Sequence, residues 1–225
     1  MTDQAALTNP LPSSERTRLR RARQRGRYDR ETIHAIVDAT PMCHVGTVVD
    51  GSPVVMPTFH WREGDRVYWH GSRAGRAIKA SLGAQTCLTI SLLDGLVLAR
   101  SAMHHSANYR SVMVFGTPEA VTDPEAKETH LRAFIEGLYP GRWDSLRPIT
   151  AQELKATTVL SLPISEASAK VRTGGPIDDE ADYDHPVWAG VVPLEPGQGM
   201  PVADARNLAG IEIPDHVSRF LIGSP

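Results

Sequence analysis

The chain has 225 residues, 24 Lys+Arg against 26 Asp+Glu, and a formal net charge of −2, so no global charge draws it to nucleic acid. A hydrophobic content of 41% supports a real core, enough for one large domain or one domain with a tail. No apolar run approaches the ~18–20 residues that span a bilayer, and the N-terminus lacks a secretory apolar region, so neither a membrane partner nor export is expected.

Residues 1–15 are polar and carry Pro and Ser, and are expected to form a flexible arm before a domain over 16–195. Residues 16–30 form a strongly basic run. With one such run and no interleaved aromatics, it is read as a solvated segment packed on the domain, with some arginines free to line an anionic ligand. From Asp29, a candidate N-cap, the spacing of Ile33, Ile36 and Val37 predicts a helix ending at Thr40-Pro41. Asp50-Gly51 between apolar alternations predicts a hairpin of strands 44–49 and 53–61. A tight turn at Glu63-Gly64-Asp65 then leads into a strand over 66–69.

Next comes His70-Gly71-Ser72-Arg73-Ala74-Gly75-Arg76, opening a short helix over 76–82. Its glycines let backbone N–H groups approach an anion, while serine and arginine can donate to phosphate oxygens; most such turns bind nothing. Asp94-Gly95 is read as a second hairpin turn, between strands 86–93 and 96–101. A strand over 110–121, a helix over 124–138 capped by Asp123, a helix over 150–156 and strands 157–164 and 167–171 follow. Residues 188–194 make a closing strand, and 196–225 are a tail with an apolar finish at 217–222. Six or seven strands joined by short turns predict a mainly β protein, an antiparallel split β-barrel with peripheral α-helices. Cys43 and Cys87 lack metal-like spacing and read as free buried thiols of a cytoplasmic protein. His104-His105 suggests metal or haem, but adjacent residues point different ways and no third ligand of suitable spacing follows, so no metal site is assigned.

Several segments in order resemble the pyridoxamine 5′-phosphate oxidase-like, FMN-binding split-barrel superfamily, nearest its nitroimidazole-reductase-related branch. They are Arg25 with Tyr28-Asp29-Arg30, His44-Val45-Gly46, Tyr68-Trp69-His70-Gly71-Ser72 with Gly75-Arg76, Ala99-Arg100-Ser101 with His104-His105-Ser106, Asn108-Tyr109-Arg110-Ser111-Val112, Ser168-Ala169-Lys170-Val171-Arg172, and Pro186-Val187-Trp188-Ala189-Gly190. The resemblance implies a homodimer with two FMN sites at its interface. Val55, Met56, Pro57 and Thr58 match the strand whose backbone lies against the isoalloxazine ring. His70, Gly71, Ser72, Arg73 and Arg76 match the phosphate turn, and Arg110 and Ser111 match a segment reaching the cofactor across the interface.

Lys170 or Arg172 is a candidate donor to the ring's pyrimidine edge. Trp188 is open to two readings, a flavin neighbour or an ordinary core or interface aromatic; Arg110 has the alternative of a surface ion-pair partner, and His70, which could hydrogen-bond ribityl or phosphate, that of a buried histidine satisfied elsewhere. The resemblance implies an FMN-dependent oxidoreductase passing electrons from a reduced nicotinamide, a small-molecule donor, to a small planar acceptor. The alternatives are a non-catalytic flavin-binding or redox-sensing protein, and an F420- or haem-binding split barrel. Residues 189–194 hold no arginine where the true oxidases grip substrate phosphate. That absence removes about 2–3 kcal/mol of binding and argues against B6 oxidase activity.

Overall fold

The computed structural model describes residues 10–218. Among them are ten strands: β1 (Gly26–Arg27), β2 (Met42–Val49), β3 (Ser52–Glu63), β4 (Arg66–Ser72), β5 (Thr86–Leu98), β6 (Ser106–Gly116), β7 (Glu119–Ala120), β8 (Thr157–Pro163), β9 (Ala167–Arg172) and β10 (Gly190–Pro193). Four α-helices accompany them: α1 (Arg30–Asp38), α2 (Arg76–Ser81), α3 (Pro124–Leu138) and α4 (Ala151–Ala156). The expected six or seven strands are thus exceeded. Part of the surplus is β1 and β7, two residues each, β7 being split from the strand expected at 110–121.

All pairings are antiparallel, in the order β1-β9-β6-β5-β2-β3-β4-β8-β7, with β10 on the C-terminal half of β5. The sheet curls into a split barrel without closing. Its core holds Ile33, Ile36 and Val37 of α1 against Trp69, Leu88, Ile90, Leu160 and Leu162, each at most 1% exposed. The Asp29 carboxylate accepts from the Thr32 N–H at 2.8 Å, so the helix starts where the sequence places it. A smaller cluster under α3 packs Leu131 and Phe134 on Trp61 and Tyr68.

Asp50 and Gly51 have φ of 50° and 78°, the left-handed pair that a two-residue hairpin turn requires. Asp94-Gly95 is different, and the expected second hairpin is absent. Neither residue has positive φ, and β5 runs straight through a bulge between Leu93 and Gly95 while Leu96 and Val97 still pair with Ala107 and Ser106. Gly95 serves close approach instead, because a Cβ there would lie 3.0 Å from the Val192 carbonyl of β10.

Residues 10–15, expected within a loose arm, lie on the domain: Leu11 is 4% exposed and its N–H donates to the Tyr28 carbonyl at 2.9 Å. Residues 1–9 and the end of the tail beyond 218 fall outside the described residues. The basic run packs as read. The Tyr28 hydroxyl donates to the Thr17 carbonyl at 3.0 Å, and the Arg16 guanidinium reaches Glu166, with Nε 3.1 Å from Oε1. Cys43 and Cys87 are free, and burial pushes the Cys43 thiol up to about 12. No helix among the described residues is long and apolar enough to cross a membrane.

Candidate functional site

Strand β3 belongs to two sheets in turn. Residues Ser52 to Phe59 pair only with β2, and His60 to Glu63 pair with β4. Beyond the rung His60–Trp69 the two strands part, and α2 sits in the opening with Ile78 buried in the core. The far edge of β3 therefore has no strand partner among the described residues. The His60 N–H donates toward β2, to the Pro41 carbonyl at 2.9 Å. By antiparallel alternation Val54, Met56 and Thr58 also face β2, which leaves the N–H groups of Val55 and Phe59 on the open edge. Pro57, which lacks an N–H, stands between them. Two prolines in one strand are tolerated because that edge has no ladder to break.

At the end of the same opening lies the 72–76 turn. Gly71 must be glycine, since a Cβ there would lie 2.8 Å from the side chain of Ile78. Three of the turn's N–H groups are engaged within the chain, while that of Arg76 stands at the start of α2, which has no side-chain cap. Gly75 donates to the Ser72 carbonyl at 2.8 Å, Ala74 to the Ser72 hydroxyl oxygen at 3.3 Å, and Arg73 to the Ala156 carbonyl at 2.8 Å. To the Arg76 N–H the turn adds side chains: the Ser72 hydroxyl and the exposed guanidiniums of Arg73 and Arg76, neither guanidinium with an acidic partner among the described residues. His70 is not part of that group. It is half-buried under α3, its ring 5.3 Å from Phe134 and 6.0 Å from Trp61, and burial lowers its pKa.

The remaining expected site residues stand elsewhere. Arg110 is held by Asp94 through Nε–Oδ2 at 2.9 Å and Nη2–Oδ1 at 2.8 Å, the ion-pair alternative. That hydrogen bond raises the guanidinium's pKa. The Ser111 hydroxyl donates to the Lys170 carbonyl at 3.4 Å, and Lys170 Nζ lies 5.9 Å from the centre of the Tyr109 ring. Trp188 is 65% exposed and covers Gly190, where a Cβ would meet its ring at 2.7 Å. With β5 and β2 intervening, β6 lies about 14 Å along the sheet from β3, and β9 one strand farther, so one chain does not bring Arg110, Ser111 and Lys170 to the β3 edge along the sheet.

Sequence reasoning missed what anchors the segment between β9 and Trp188. The Asp178 carboxylate is buried and accepts from the Arg100 backbone N–H and from its guanidinium, both at 3.0 Å, while that guanidinium lies 4.8 Å over the Tyr183 ring. Burial opposes ionisation of Asp178, but the Arg100 hydrogen bonds outweigh it and hold the carboxyl below the usual range. A depressed pKa contributes stability that is complete above the unfolded value, about 3.9, and is lost as pH falls through the folded value. Acidification below that unfolded value should release the segment carrying Trp188. Its fluorescence should then change before the far-ultraviolet signal of the barrel, and Asp178→Asn should abolish that early step.

One face of the sheet is apolar and uncovered. Met42 lies opposite Phe59 and Gly46 opposite Val55, and with Val48, Leu93 and Met113 the exposed side chains run across β2, β3, β5 and β6.

A family model described as pyridoxamine 5′-phosphate oxidase matches residues 29–171. The chain is 52% identical to the flavocytochrome Anf3 of Azotobacter vinelandii, at a TM-score of 0.91 over 94% of this chain and 100% of that one. It is 36% identical to a FAD- and haem-binding protein of Mycobacterium smegmatis, at a TM-score of 0.82 over 86% of this chain and 96% of the other. A Bacteroides thetaiotaomicron protein assigned to 5-nitroimidazole antibiotic resistance shares the fold, with 24% identity and a TM-score of 0.54 over 64% of this chain and 84% of that one. No curated protein matches.

Proposed function

The chain belongs to the pyridoxamine 5′-phosphate oxidase family of split barrels, and from that premise we propose that it is a flavin-dependent oxidoreductase whose cofactor lies between two copies. The open edge of β3 carries this reading. An isoalloxazine ring has a polar pyrimidine edge and apolar faces, and the N–H groups of Val55 and Phe59 beside an apolar sheet face match both. The Ser72 hydroxyl and the Arg73 and Arg76 guanidiniums would hold the flavin phosphate.

Bound flavin supplies a two-electron carrier, taking a hydride from a reduced nicotinamide and passing electrons to a small planar acceptor. No side chain is assigned as acid or base. Arg110, Ser111, Lys170 and Trp188 would come to the ring from the second copy, and the apolar face formed by Met42, Val55, Phe59 and Met113 is the surface proposed to join the two. The flavin proposed is FAD, supported by the FAD-binding relative at 36% identity. FMN, implied by the sequence resemblance, shares the ring and the first phosphate. Two free cysteines fit a reducing compartment, and the cytoplasm is the proposed location.

A second reading adds haem, favoured by the flavocytochrome at 52% identity. His105 Nδ1 lies 2.9 Å from the Ser101 carbonyl, which can only accept, so the proton sits on Nδ1 and Nε2 is free for iron. The visible spectrum of the purified protein tests both readings. A flavin envelope is expected, with a Soret band that His105→Ala removes. A colourless protein that stays colourless after incubation with FAD and FMN overturns the flavin; a Soret band that His105→Ala leaves unchanged overturns the ligand assignment.

A further inference from the structure

A groove of about 600 Å³ opens beside the 72–76 turn, between α2, α4 and the start of α3, and shares Arg73 with the phosphate turn described above. Its floor is apolar, built on Ile78, Leu82, Val121 and Leu154. Its charge is one-sided: four of its lining residues are cations, Arg73, Lys79, Lys127 and Lys155, and none is Asp or Glu, in a chain of net charge −2. Lys127 is already engaged, donating to the Leu154 and Thr157 carbonyls at 2.9 and 3.0 Å, with one N–H left over. Arg73, Lys79 and Lys155 are exposed and have no acidic partner among the described residues.

Like charges gathered without counter-ions repel one another, and an anion seated among them relieves that cost. The volume is that of a small-molecule site rather than of a protein contact. Apolar floor and cationic rim together suit a flat base attached to phosphate. The groove is also mechanically continuous with the turn, because the Arg73 N–H is bonded to the last carbonyl of α4 at 2.8 Å, and the Arg73 side chain lines the groove.

We infer that this groove takes the adenosine monophosphate half of FAD. The adenine would lie on Ile78, Leu82 and Leu154, and Lys79 and Lys155 would face its phosphate while Arg73 serves both halves. This rests on the flavin reading above and adds what selects FAD over FMN. The shared half of the two cofactors ends at the turn, so only FAD can enter the groove.

The test is equilibrium titration of the full chain, stripped of bound cofactor, with FAD, FMN and AMP, followed by quenching of flavin fluorescence and by calorimetry. FAD is expected to bind at least about tenfold more tightly than FMN, and AMP to compete with FAD but not with FMN. Lys155→Glu and Leu82→Trp should each remove most of that preference, leaving the FMN dissociation constant within about twofold, so that FMN affinity reports an intact fold and turn. Equal affinity for FAD and FMN in the native chain overturns the groove assignment, as does a preference that survives both substitutions, or a loss of FMN binding equal to that of FAD. Each of those results leaves the flavin reading standing. Failure of both flavins to bind ends that reading, and this inference with it.

Discussion

Trp69→Ala is expected to cost about 3–5 kcal/mol of stability, a large part of what a single domain has. Trp69 is 0% exposed and the largest fully buried side chain, packed among Val45, Val67 and Leu162. It also stands opposite His60 on the last rung before β3 and β4 separate, so the cavity left by alanine opens where the flavin edge begins. Its indole N–H has no hydrogen-bond partner among the described residues, so Trp69→Phe loses volume but no bond and should cost clearly less. Urea unfolding of the two variants checks both values. An alanine variant within about 1 kcal/mol of the parent would mean that this side chain does not hold the opening in shape.

Arg76→Ala is the binding counterpart. One charge-assisted phosphate contact is worth about 1.5–3 kcal/mol, so flavin affinity should fall roughly 10- to 150-fold. The melting temperature of the cofactor-free protein should not move, because Arg76 is exposed and makes no contact that stabilises the fold. The loss should shrink as salt rises, as screening requires for an exposed charge. Unchanged affinity for FMN and FAD in flavin titrations would take Arg76 out of the phosphate site.

Much of this fold was legible where local chemistry and tertiary context agree. The Asp29 and Asp123 caps and the Asp50-Gly51 turn each act within four residues, and each stands where the sequence put it. Asp94-Gly95 carries the same dipeptide as the true turn and does something else. There the competing demand is long-range: Asp94 is tied to Arg110 across the sheet, and Gly95 makes room for β10. His70 is a similar case, since being next to the turn in sequence does not decide on which face of β4 a ring lies. The open edge of β3 could have been read from Pro53 and Pro57, two residues that a doubly paired strand would not accept. The groove beside the turn had no such signal, because its four cations come from three separate helices and one loop.

The central claim is a place: a flavin along the free edge of β3, its phosphate on Ser72, Arg73 and Arg76, completed by a second copy. A crystal structure of the protein grown with FAD tests it most directly. The account predicts the ring against Val55 and Phe59 of one copy, with Arg110 or Trp188 of the other within contact distance. Flavin bound away from β3, or enclosed by a single chain, would contradict it.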